Sequence, residues 1–152
     1  MLKEFIKWAE NNNWNMILST EKLNFPDSIM NRYQLPEQWL NFIKCFSVCE
    51  NESATKWFLT PNDYQMKGNG FQWNEFELQS LASTEEKSQI ISYWNAHIPI
   101  ILSVDGEYSY YAVNTENGNV VFGTEPEYEE AEVIANDFDT FIRKIISGER
   151  LL

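Results

Sequence analysis

Residues 97–123, HIPIILSVDGEYSYYAVNTENGNVVFG, read as three short strands joined by two turns. Ile98-Pro99-Ile100-Ile101-Leu102 is a continuous apolar run, the kind that is buried on both faces of a sheet. Asp105-Gly106 is a tight-turn pair. Tyr108 to Val113 concentrates aromatic and β-branched residues, which fit a pleated, half-buried surface. Asn117-Gly118 offers the φ > 0 pair that a two-residue type I′ hairpin requires, and Asn119 to Phe122 then returns as the partner strand. An antiparallel meander is expected here.

The flanks of this stretch are helical. C-terminal to it, Phe138, Phe141, Ile142, Ile145 and Ile146 make one apolar face. Asn136 stands ready to cap that helix, with Asp137 and Asp139 in its first turn, and Gly148 is placed to end it. Glu132 to Ala135 reads as a short strand before it. N-terminal to the meander, Thr84 to Lys87 opens a helix carrying Ile90, Ile91 and Trp94. Phe71 to Leu78 mixes aromatics with acids on no clean period and reads as a strand or an irregular edge. Trp57 to Thr60 reads as a short strand. Trp39, Phe42, Ile43 and Phe46 recur at helical spacing after Leu35-Pro36-Glu37, which predicts a helix running through Phe46. Leu2, Phe5, Ile6 and Ala9 mark another at the start, and a turn into a short helix is expected from Phe25 to Arg32. No linker, repeat or low-complexity tract divides residues 1–152, so one domain is expected.

The 152 residues are 43% hydrophobic and 15% aromatic, enough for a substantial core. A formal net charge of −12 repels nucleic acid and anionic membrane and attracts basic partners. Between Lys87 and Arg143 there is no lysine or arginine, while Asp105, Glu107, Glu116, Glu125, Glu127, Glu129, Glu130, Glu132, Asp137 and Asp139 all fall there. The first ten residues carry four charges and lead into no signal-peptide core, and no apolar run approaches the ~20 residues needed to span a bilayer. A cytoplasmic protein is expected.

Catalytic and metal chemistry find little purchase. No H-E-x-x-H, G-x-S-x-G or phosphate-binding loop occurs, and Gly68-Asn69-Gly70 lacks what such a loop requires. Cys45 and Cys49 are the only cysteines and His97 the only histidine, too few and too scattered for a zinc site, so reduced thiols and no metal or cofactor are expected. His97 flanks an apolar strand and reads as a strand-end residue. A carboxylate pair for hydrolysis is the surviving catalytic alternative.

Three features together make the chain similar to the SUKH superfamily, named after fungal Smi- and Knr-like cell-wall regulators. They are the leucine-proline pair opening an aromatic helix, Leu35 to Phe42; the Ile-Pro-Ile strand with its glycine turn, aromatic strand and Asn-Gly return, Ile98 to Val121; and the final helix of Ala135, Phe138 and Phe141 ending at Gly148. The family often has a glycine pair where this chain has Cys49-Glu50-Asn51. The resemblance implies an α+β fold, a mainly antiparallel sheet with N-terminal and C-terminal helices packed against it. It also implies an immunity protein, not an enzyme, that binds and neutralises a cognate polymorphic toxin, often a nuclease or deaminase. A general regulatory scaffold is the alternative of another class. Loops on a rigid sheet carry such contacts and tyrosines anchor them. The expected binding residues are therefore Asp105, Glu107 and Tyr108 at one turn, and Glu125, Glu127, Tyr128, Glu129 and Glu130 in an acidic loop.

Overall fold

The computed structural model of the chain describes residues 1–21, 24–65, 70–124 and 131–152. In chain order its elements are α1 (Leu2–Asn11), β1 (Asn15–Leu18), α2 (Asp27–Arg32), α3 (Glu37–Ile43), β2 (Phe46–Glu50), β3 (Lys56–Phe58), a 3-10 turn (Asp63–Gln65), α4 (Glu75–Ala82), α5 (Ser88–Ala96), β4 (His97–Ser103), β5 (Ser109–Asn114), β6 (Val120–Thr124), β7 (Glu132–Ala135) and α6 (Phe138–Ser147). The seven strands form one antiparallel sheet in the order β1-β2-β3-β4-β5-β6-β7, each beside its sequence neighbour. The fold is α+β, with helices at both ends of the chain, as expected.

β4 lies in the middle of the sheet and is buried from Ile98 to Ser103, which explains its unbroken apolar run. Pro99 cannot donate to a ladder, and the register with β5 shifts between Pro99 and Ile101. The carbonyl of Pro99 accepts the Tyr64 hydroxyl at 2.6 Å. Adjacent residues of β5 face opposite layers. Tyr111 lies against Phe141 of α6 with ring centroids 5.0 Å apart, and Tyr110 lies against Phe76 of α4 and Trp94 of α5, each at 5.0 Å. Helices α1, α3 and α6 thus cover one face through Phe5, Phe42 and Phe138. Helices α4 and α5 cover the centre of the other face, and the buried apolar residues of both layers form one cluster.

Several elements differ from expectation. The β5–β6 connection spans residues 115–119, wider than a two-residue hairpin, and there only Gly118 is left-handed, at φ +82°. Asn117 serves the turn through its side chain, whose Oδ1 accepts the Asn119 N–H at 2.9 Å. Helix α3 ends at Ile43, so Phe46 belongs to β2; Cys45 and Cys49 are both free thiols. Residues 75–82 are the helix α4 rather than a strand. The cap of α6 is Asp137, not Asn136, its Oδ1 accepting the Thr140 N–H at 2.7 Å. Helix α5 begins at Ser88. Among the described residues no helix is long and apolar enough to cross a membrane.

Candidate partner-binding surface

The β4–β5 turn is set by Gly106, whose φ of +70° lets the chain reverse between Ser103 and Ser109, which pair with each other. The Asp105 N–H donates to Ser103 Oγ at 3.3 Å. Asp105 and Glu107 stand exposed on this turn. Tyr108 is 38% exposed, and its ring meets Phe71 edge-on, with centroids 5.6 Å apart and planes at 83°. Phe71 in turn meets Trp57 of β3 at 6.1 Å and 83°. Three partly exposed rings from distant parts of the chain therefore make one ledge beside two carboxylates.

Strand pairing extends this ledge. Trp57 lies opposite Glu50, and Val48, two residues earlier on the same face, lies opposite Ile17. Helices α4 and α5 cover the sheet centre and leave this flank open: Ile17 is 57% exposed, and Glu50, Val48 and Trp57 are half-buried. An amphipathic ring with one edge in water and acids at its border suits a protein interface, where aromatic anchors supply area and rim charges steer.

Of the residues expected at the site, the structure brings Asp105, Glu107 and Tyr108 together. Glu125, Glu127, Tyr128, Glu129 and Glu130 lie outside the described residues. Thr124, the last described residue before them, pairs with Ser109 beside the turn. Tyr110, on the same strand, is buried and shares a hydroxyl hydrogen bond of 2.8 Å with Tyr93. Trp57 and Phe71 are the residues sequence reasoning missed. Only the β3–β4 register, Trp57 opposite Leu102, brings Trp57 near the turn, and no local pattern encodes it.

His97 is half-buried and stacked on Tyr93, centroids 4.0 Å apart, with Nδ1 2.8 Å from the Tyr93 carbonyl oxygen. Burial lowers its pKa, against the pull of that carbonyl and of Glu116. At neutral pH it adds no positive charge to the span between Lys87 and Arg143. Among the described residues no group of three or more His, Cys, Asp and Glu side chains could hold a metal ion. Comparison of the chain with protein-family models, with curated proteins and with solved structures finds no match.

Proposed function

We propose that this chain is a SUKH-type immunity protein that neutralises a cognate toxin in the cytoplasm by stoichiometric binding, without chemistry of its own. The observation that carries the reading is the open ledge of Trp57, Phe71 and Tyr108 bordered by Asp105, Glu107 and Glu50. It sits on a sheet whose centre is packed by helices on both faces, so binding there costs little backbone ordering. Its acids belong to a chain of net charge −12, whose field favours a partner with a basic surface, as a nuclease presents to its substrate. The β1–β3 face offers apolar area for the centre of a contact, and the turn carboxylates supply the rim.

The test is co-expression with a toxin domain encoded beside this chain, followed by purification. Growth rescue together with a one-to-one complex is the expected result. Rescue without any complex, or catalytic turnover of the toxin's product by this chain, would refute stoichiometric inhibition.

A further inference from the structure

On the sheet face opposite the aromatic ledge lies a second site of the reverse polarity. Lys56, Ser103 and Ser109 are cross-strand neighbours on β3, β4 and β5, so their side chains form one row on one face. Tyr111, two residues from Ser109, shares that face. Arg150, just beyond α6, folds back over it. Its backbone N–H donates to the Lys144 carbonyl at 2.9 Å, and its Nε donates to the Tyr111 hydroxyl at 2.6 Å. The guanidinium carbon rests 5.2 Å from the Tyr111 ring centroid and 4.8 Å from that of Phe122. Lys56, Ser103, Ser109, Tyr111 and Arg150 all line one cavity of about 160 Å³, with Asp105 among its lining residues.

Two details mark this cavity as a binding site. Among the described residues neither Lys56 nor Arg150 makes an ion pair, in a chain where acids outnumber lysines and arginines 23 to 11. The Arg150 fork is also held in place by ring stacking and by its Nε bond, while its two Nη groups have no hydrogen-bond partner among the described residues. A fixed guanidinium with a free edge matches the two-oxygen face of an oxoanion. The Tyr111 hydroxyl accepts from Arg150 and keeps its own proton to donate. The cavity is well below the ~300 Å³ at which sites for drug-sized ligands begin, so it suits a terminal group rather than a whole cofactor.

We propose that Arg150, Lys56 and the Ser109 and Tyr111 hydroxyls form a binding site for a small oxoanion, a carboxylate or a phosphate group. This site stands independently of the toxin reading. Asp105 at its border opposes the bound charge and keeps the affinity for free anions low.

The test is a titration of the labelled protein followed by amide and Arg Nε NMR signals, at constant ionic strength, with sodium acetate, inorganic phosphate and sodium chloride in separate arms. Acetate or phosphate should give saturable shifts at Ser103, Ser109, Tyr111 and Arg150, with a Kd on the order of 1–10 mM. Tighter acetate binding assigns a carboxylate ligand; tighter phosphate binding assigns phosphate. Arg150→Gln and Lys56→Gln should each weaken binding roughly fivefold or more, whereas Arg143→Gln, on an exposed position of α6, should not. Lys56→Gln keeps the test decisive if loss of the stacked Arg150 disturbs folding. Asp105→Asn should tighten binding more than Glu107→Gln does. Equal shifts with chloride, or full retention of binding in the Lys56 variant and in any folded Arg150 variant, would overturn the proposal.

Discussion

Gly123 of β6 lies directly opposite Tyr110 of β5, and its φ is not left-handed, so backbone freedom is not why glycine stands there. A Cβ built at position 123 would fall within the Tyr110 phenol, against its Cζ, Cε1 and hydroxyl. The ring cannot simply move aside. It is wedged between Phe76 and Trp94, and its hydroxyl is bonded to that of Tyr93. Gly123→Ala therefore overpacks the core, at about 1–3 kcal/mol. Displacing the ring also breaks the Tyr110–Tyr93 hydrogen bond inside the fold, at about 1–3 kcal/mol. Lower entropy of the unfolded chain offsets this by about 0.4–1 kcal/mol. The net loss should be about 1–5 kcal/mol, a drop in Tm of roughly 2–20 °C at this chain length. The decisive assay is a double-mutant cycle by urea unfolding. In a Tyr110→Leu background, with the ring gone, Gly123→Ala should be neutral or slightly stabilising. Equal costs in the two backgrounds, within about 0.5 kcal/mol, would refute the close approach.

Phe141 is fully buried against Tyr111 and Phe138, so Phe141→Ala should cost about 3–5 kcal/mol in urea melts; a loss under 1 kcal/mol would contradict its place in the core. Asp137→Ala removes the side-chain cap of α6 and should cost about 1 kcal/mol at neutral pH. The Thr140 N–H holds the Asp137 carboxyl below its ordinary range, so this contribution should vanish as acid titration proceeds below about pH 4. His97 has the pH dependence of a buried base: burial lowers its folded pKa, so the unfolded chain takes up its proton first as pH falls. Wild-type stability should therefore fall more steeply below about pH 6.5 than that of His97→Asn, as measured by chemical unfolding at a series of pH values. Parallel curves would show that His97 is not the group responsible.

Helix α6 and the central meander were legible because each buries one regular set of apolar residues, at helical spacing in the one and in consecutive strands in the other. Helix α4 was illegible for the opposite reason: its buried residues are Phe76, Glu77 and Ser80, so polar groups occupy inward positions and no apolar period survives. Both polar groups are satisfied, Glu77 by a two-pronged pair with Arg32 and Ser80 by the Phe76 carbonyl. Phe46 continued a helical spacing into a strand because both elements face the same aromatic core, where its ring lies 5.3 Å from that of Phe42. The turn at Asp105 and Glu107 was readable from Asp-Gly alone. Its aromatic neighbours were not, since Trp57 and Phe71 reach Tyr108 only through long-range pairing.

Binding of a toxin through the aromatic ledge and its acidic rim is open to a direct test in the kinetics of complex formation with the toxin domain, at about 50 and 200 mM salt, which moves the Debye length through the range where rim charges act. Asp105→Lys combined with Glu107→Lys should lower the association rate about tenfold at low salt and flatten its salt dependence, leaving dissociation little changed. Trp57→Ala should do the reverse, speeding dissociation by about 30-fold, the equivalent of an interface anchor of about 2 kcal/mol, with association nearly constant. An association rate indifferent to both salt and the charge reversals, together with a dissociation rate unmoved by Trp57→Ala, would contradict binding through the ledge.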